Sequence, residues 1–226
     1  MKYKNVNTVA QILSFFFKYT LERKKSKWSE NVTLCLNKGT MELSTENAIY
    51  SFGKNYYAFA DAYNKLNIKK YPINNVLILG MGMGSIVEIL EKYFDKLDFT
   101  GIEADNVIVD LYNKYIQPKK GFNVNVIEHD AYEFVKDNTN QYDMINIDIF
   151  IDDVIPHPFH DHTFLENIKN SLSPKGIVLF NRLDSKAAYR QYNKQYWEKV
   201  FSSVFKNSQS LKIRGNLVLV GFNSAS

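Results

Sequence analysis

Residues 76–79 are Val-Leu-Ile-Leu, and Gly80, Gly82 and Gly84 follow them at alternate positions. Ile86, Val87, Ile89 and Leu90 then repeat at helical spacing. A short apolar run without polar alternation suits a strand buried on both faces, as in a parallel sheet. The glycines let the backbone turn sharply and let a ligand approach the peptide closely. A helix starting there would point unpaired N–H groups at that ligand. The stretch therefore predicts strand, ligand loop and helix, the first unit of a nucleotide-binding α/β domain.

The chain beyond it alternates in the same way. Strands are predicted at 99–103, 124–128, 144–148 and 176–180, with helices at 106–116, 131–136, 162–172 and 189–201 between and after them. Two further strands, 211–216 and 217–222, are joined by Gly215-Asn216. This order implies an α/β fold, a doubly wound Rossmann-like sheet, with the terminal hairpin adding one antiparallel strand.

Residues 1–70 read as a small N-terminal unit and 71–226 as the Rossmann-like domain. Val9, Ile12, Leu13, Phe16, Phe17 and Leu21 are spaced for a helix over 7–25 that packs on the chain's own body, with Asn7 or Thr8 as its cap. Val32, Leu34 and Leu36 alternate before Asn37-Lys38-Gly39, which predicts a β-hairpin over 31–44. Residues 44–51 read as a polar connection, and Tyr56, Phe59, Ala60 and Tyr63 as a second helix stopped before Pro72.

Charge excludes more than it selects. Lysine plus arginine number 28 and aspartate plus glutamate 24, so the net charge of +4 is slight and diffuse. Neither a dense basic stripe nor an added reader domain is present, which argues against a nucleic-acid partner. Cys35 is alone, so no disulfide framework or cysteine-based metal site forms within the chain, and a cytoplasmic setting is expected. No apolar run approaches the roughly 18–20 residues that span a bilayer.

In such a sheet, ligands sit outside the carboxyl ends of the strands. Four positions lie there: the loop Gly80, Gly82, Gly84; Glu103, 19 residues past Gly84; Asp130; and Asp148. Glu103 suits the two hydroxyls of a ribose, Asp130 an adenine amino group, and Asp148 the reacting group. Ser85 stands where a dinucleotide fingerprint has glycine, which argues against a nicotinamide cofactor. His157, His160 and His162, with Asp152, Asp153 and Asp161, form a second cluster; loop and helix-cap roles are expected there, and no metal.

The Gly-x-Gly-x-Gly spacing and the antiparallel finish resemble the class I S-adenosylmethionine-dependent methyltransferases. The blocks Tyr142-Asp-Met-Ile-Asn-Ile-Asp148-Ile-Phe, Thr163-Phe-Leu-Glu166 and Leu172-Ser-Pro174-Lys-Gly176-Ile-Val-Leu-Phe-Asn181, with Pro156, look like the spermidine synthase-like branch of that superfamily. So does the hairpin leading into Leu43-Ser-Thr45; the likeness covers roughly residues 30–181. It implies a transferase that uses S-adenosylmethionine or its decarboxylated form. Gly80, Gly82, Gly84, Glu103 and Asp130 would hold that molecule, and Asp148 would orient and deprotonate an attacking amine.

The chain departs from the branch at Met83, where an acid usually meets the donor's amine tail. It departs again after Asp148, where Ile-Phe-Ile-Asp152-Asp153 replaces Asp-Ser-Ser-Asp, and near Tyr56-Tyr57, where an acid is missing. Methyl transfer to a small-molecule acceptor, an amine or another nucleophile, is therefore expected ahead of aminopropyl transfer. A nucleoside-binding protein that has lost catalysis is a further alternative. The first helix and the hairpin are candidates for a homodimer surface.

Overall fold

The computed structural model describes residues 2–46 and 48–223. β1 (Lys2–Tyr3) precedes α1 (Thr8–Leu13), whose N-cap is Asn7: its side-chain oxygen accepts the Ala10 N–H at 2.6 Å. The helix expected over 7–25 stops there. Ser14 closes it, its hydroxyl donating to Gln11 O at 2.6 Å, while its own carbonyl accepts the Lys38 N–H at 2.7 Å. Residues 19–24 are instead a strand, β2 (Tyr19–Lys24), antiparallel to β3 (Val32–Asn37). A sheet edge offering hydrogen bonds to a Tyr-Thr-Leu run outweighs helical spacing. The expectation that the apolar stripe packs on the body fails for most of it: Val9, Ile12, Phe16 and Phe17 are exposed, whereas Leu21 packs against the core from β2.

The predicted hairpin is present. β3 pairs with β4 (Thr40–Ser44) around Lys38 and Gly39, both at positive φ as a two-residue turn requires. β5 (Ile49–Ser51) adds a fourth strand inside the stretch read as a polar connection, of which Asn47 lies outside the described residues. α2 (Tyr57–Leu66) then leads to the main sheet.

That sheet contains β6 (Asn75–Leu79), β7 (Leu97–Glu103), β9 (Phe122–Glu128), β10 (Tyr142–Ile147), β11 (Leu172–Leu183), β12 (Asn207–Ile213) and β13 (Asn216–Phe222). Between them lie α3 (Ser85–Leu90), α4 (Asn106–Tyr115), α5 (Ala131–Asp137), α6 (His162–Asn170) and α7 (Ala187–Tyr196), which runs on through a π turn at Trp197–Phe201 into α8 (Ser202–Val204). A two-residue strand after α4, β8 (Ile116–Gln117), pairs with β1.

The spatial order is β12-β13-β11-β10-β6-β7-β9. β9, β7, β6, β10 and β11 pair in parallel, and β13 runs against both of its neighbours, the antiparallel finish expected from Gly215-Asn216. Alternate residues of the strands serve opposite faces. Val76, Ile78, Met144 and Leu179 pack with α2, α3, α4 and the N-terminal sheet's Leu34, Leu36 and Leu43. Leu77, Leu79, Ile145, Ile147 and Phe180 pack with α5, α6 and the α7–α8 segment. A strand buried on both faces needs this unbroken apolar composition. Among the described residues no helix is long and apolar enough to cross a membrane.

Candidate active site

β6 and β10 are neighbours, and their ends meet over Gly80. A Cβ there would stand 2.2 Å from the Asp148 carbonyl oxygen, and Gly80 holds φ +86°, so only glycine fits. The Gly80 and Met81 N–H groups donate to Ile102 O at 2.9 and 3.0 Å, binding the loop to the end of β7. Gly82 continues the turn at φ +51° and Gly84 caps α3 at φ +77°. Gly80 and Gly82 line a cleft of about 1060 Å³; Gly84 lies behind it.

Ser85, the residue that breaks the dinucleotide fingerprint, has a structural task. Its hydroxyl meets Ser51 Oγ at 2.6 Å and accepts the Phe52 N–H at 3.0 Å, tying the end of β5 to the start of α3. Met83 points away from the cleft into the core, 3% exposed. The expectation that it faces a donor's tail is thus corrected, and its apolar side chain says nothing about what the cleft binds.

Glu103 ends β7 in the cleft wall. Its Oε2 accepts the Gly82 N–H at 2.9 Å and its Oε1 the Asp105 N–H at 3.1 Å. Burial pushes this carboxyl up, and the N–H groups of Gly82 and Asp105 act in the opposite direction. Both oxygens are thereby fixed in orientation while each keeps acceptor capacity. Asp105 caps α4 through the Val107 N–H, and Asp110 is an exposed helix residue. Asp130 also lines the cleft, exposed, with its Oδ1 accepting the Tyr132 and Glu133 N–H groups at 2.9 and 3.1 Å as the cap of α5.

Asp148 follows β10, across the loop from Glu103. Two donors converge on one of its oxygens: Tyr56 Oη and Asn181 Nδ2 both reach Oδ1 at 2.9 Å. Asn216 Nδ2 donates to Asn181 Oδ1 at 2.8 Å, which fixes the amide of Asn181 with its NH₂ toward Asp148. Burial raises the Asp148 carboxyl to about 6, while the bonds from Asn181 and Tyr56 hold it down. Tyr56 is pushed well above its ordinary range by burial and by Asp148, so it stays a donor. Asn181 lies near the end of β11 and Asn216 begins β13, and neither was singled out from sequence. Asn181 was discoverable, since it lies near a strand end in the same row as Glu103 and Asp148; Asn216 carried no signal beyond its turn.

The lining includes Glu103, Asp105, Asp130, Glu133, Asp148, Asp152, Asp153 and Asp161, and among the described residues no lysine, arginine or histidine. Tyr50, Phe52, Tyr56, Tyr132, Phe150 and Phe159 supply aromatic walls. Asp152 is held by Thr45 Oγ1 at 2.9 Å; Asp153 accepts from Tyr189 at 2.9 Å and Lys186 at 3.2 Å, which keep it below the usual carboxylate range.

The histidines do not converge. His160 contacts Ile155 O and Arg182, His162 lies 3.8 Å from Glu166 one turn along α6, and His157 sits in a short 3₁₀ turn. His129 bonds the carbonyl of Asp130 at 2.8 Å. Among the described residues no group of three histidine, cysteine, aspartate or glutamate side chains could hold a metal.

Residues 65–213 match the model of the spermine/spermidine synthase domain. The chain belongs to that family. A probable polyamine aminopropyl transferase of Bifidobacterium longum is 31% identical over 108 residues, covering 48% of this chain and 24% of that protein. The polyamine aminopropyltransferase of Vibrio vulnificus is 26% identical over 151 residues, covering 64% and 49%. The chain thus spans half or less of the length of these relatives. A probable spermidine synthase from Corynebacterium glutamicum superposes with a TM-score of 0.71 at 17% identity, covering 92% of this chain and 81% of that one. The fold expected for the spermidine synthase-like branch is therefore present. The order of the two transfer reactions is reversed: the family and these relatives favour aminopropyl over methyl transfer.

Proposed function

We propose that this chain is an aminopropyltransferase, moving the aminopropyl group of decarboxylated S-adenosylmethionine to a small amine. The observation that carries this is the cleft lining, acidic along its length and without a cation among the described residues. The decarboxylated donor is a sulfonium with an ammonium tail and no carboxylate. S-adenosylmethionine adds a carboxylate, which this lining would repel and could not pair. The same field disfavours the pyrophosphate of a dinucleotide.

Glu103, its two oxygens oriented by Gly82 and Asp105, takes the ribose hydroxyls. Gly80 and Gly82 allow the close approach, and Gly84 sets the turn into α3. Asp130 borders the adenine end, its remaining oxygen available to an amino group. The donor's sulfonium carbon accepts a nitrogen lone pair as its carbon–sulfur bond breaks, and the pair of that bond returns to sulfur as a neutral thioether.

Asp148 binds the incoming ammonium and takes its proton, freeing the lone pair. Tyr56 and Asn181 anchor Oδ1, which leaves Oδ2 to meet the amine and fixes the direction of attack. A carboxyl near 6 is ionised at neutral pH yet basic enough to share the proton.

Calorimetric titration with decarboxylated S-adenosylmethionine, S-adenosylmethionine and methylthioadenosine tests the reading. The first and third are expected to bind, and S-adenosylmethionine at least about tenfold more weakly, the equivalent of one unpaired charge. Preference for the carboxylated donor would return methyl transfer to the front, and no binding of any of the three would end the assignment.

A further inference from the structure

Among the described residues, Arg182 is the one buried cation, and the cleft chemistry leaves it unused. It sits on β11 next to Asn181, is 2% exposed, and pairs with no carboxylate among the described residues. Its partners are all neutral. Nε donates to Asn193 Oδ1 at 2.8 Å, and Nη2 to His160 Nδ1 at 3.2 Å. His160 Nε2 faces Ile155 O at 3.0 Å, so the ring carries its single proton there and accepts at Nδ1. Tyr196 stacks 4.0 Å from the guanidinium carbon, and the rings of Phe180 and Tyr192 lie at 5.1 and 5.7 Å. Nη1 has no hydrogen-bonding partner, and neither has the buried Tyr196 hydroxyl.

An aromatic cage recovers part of the desolvation of a cation, but an orphaned N–H of a buried guanidinium remains expensive. Beside Arg182 is a cavity of about 120 Å³, also lined by His160, Tyr189, Tyr192 and Asn193. It has room for a carboxylate group and not for a nucleoside. Tyr192 and Val154 in its lining are exposed, so it opens to solvent on that side. Asp153 borders it but is engaged by Lys186 and Tyr189. Phe150, Asp153 and Leu183 line both this cavity and the main cleft.

We propose that the Arg182 cavity is a carboxylate-binding site. The planar guanidinium is the donor best matched to a carboxylate, and one bound in the cavity it lines would supply the missing counter-charge. The carboxylate comes either from a free small acid or from the far end of an amine held at Asp148 across the Phe150–Leu183 wall. The second source rests on the transferase reading above; the first does not.

The test is histidine-ring NMR on the wild-type protein, titrated with sodium formate at constant ionic strength. A saturable shift confined to His160 is expected, assigned by its loss in His160→Gln, with His129, His157 and His162 unmoved. Arg182→Met is expected to weaken it at least about tenfold, the worth of a charge-assisted bond. Titration with 4-aminobutyrate, against butylamine as control, separates the sources. A His160 shift by 4-aminobutyrate that Asp148→Asn abolishes, while the formate shift persists, assigns the carboxylate to the acceptor; a 4-aminobutyrate shift that persists in Asp148→Asn assigns it to a free acid. No saturable shift of His160 by formate or 4-aminobutyrate in the wild type overturns the proposal, whether or not Arg182→Met folds. Because the formate arm needs neither donor nor turnover, its failure leaves the transferase reading standing.

Discussion

The two halves of the cleft are built by different means. Over β6, β7 and β9 the wall is largely main chain: a loop at positive φ, and acids whose oxygens are oriented by the nearby N–H groups of Gly82, Asp105, Tyr132 and Glu133. Over β10, β11 and β13 it is a relay of side chains, Tyr56 and Asn181 onto Asp148 and Asn216 onto Asn181, drawn from positions as far apart as 56 and 216. A wall of backbone is rigid and tolerant of side-chain change. A relay of neutral donors around one carboxylate is tunable, and each member can be altered without dismantling the loop. On the proposed reading the first half binds the donor and the second does the chemistry, so substitutions should sort into affinity effects and turnover effects.

The largest expected effect is at Asp148. Asp148→Asn keeps an oxygen for Tyr56 and Asn181 but cannot take a proton, so turnover should fall by about 10²–10⁴-fold. Affinity for methylthioadenosine, read by calorimetry, should stay within about twofold. A matching loss of nucleoside affinity would show that the halves are not separable. The same variant should be the more stable protein at neutral pH. Burial raises this carboxyl to about 6 from an ordinary 3.8, so its ionised form is the unfavourable one in the fold. The stability it contributes is complete below the unfolded value and is lost as pH rises through about 6. Removing the charge should return on the order of 1–3 kcal/mol at pH 7, measured by urea unfolding.

Gly80→Ala should break the division altogether. The added Cβ would meet main chain, the Asp148 carbonyl, at 2.2 Å, and the positive φ adds strain. Since that contact joins the two halves, nucleoside affinity and turnover should both collapse, with about 2–4 kcal/mol of stability. A variant that loses only affinity would show that the loop moves independently of Asp148.

The asymmetry also explains what the sequence disclosed. The first half was legible because its signals are local: glycines at fixed spacing, and an acid at each strand end within a few residues of the helix it precedes. The parallel sheet and its antiparallel finish followed from the alternation of apolar runs; the order of the strands did not. The second half was read only at Asp148: Asn181, near a strand end in the same row, was passed over, and Asn216 acquires meaning only when β13 lies beside β11. Met83 misled for the opposite reason. Alternate residues of a tight loop face opposite ways, and a likeness in sequence position did not reveal that this one turns into the core. The N-terminal helix was overextended because Phe16, Phe17 and Leu21 fit helical spacing, while the partner that draws residues 19–24 into a strand is the hairpin after them.

A smaller effect sharpens the role of the relay. If Asp148 acts as the base, kcat/KM should rise tenfold per pH unit up to about 6 and then level off. Tyr56→Phe removes one of the two bonds that favour the ionised carboxylate, so the midpoint should move to higher pH. Turnover at pH 6 should therefore fall more, by about three- to tenfold, than at pH 8. An unchanged midpoint would mean that Tyr56 packs against Asp148 without tuning it.

The smallest effect is expected furthest along the relay. Asn216 touches Asp148 only through Asn181, and its bond from Nδ2 to Asn181 Oδ1 decides which way that amide faces. In Asn216→Leu the amide is free to turn, and half of its orientations would present oxygen to oxygen at Asp148. Turnover should fall about two- to fivefold, the worth of a single neutral hydrogen bond, with KM for the donor unchanged. Asn216→Gln, which keeps a donor on a longer stem, should recover part of the loss, whereas a purely structural role would leave both variants alike. A shift of the pH midpoint in the same direction as Tyr56→Phe would tie the residue to Asp148 rather than to the β11–β13 ladder.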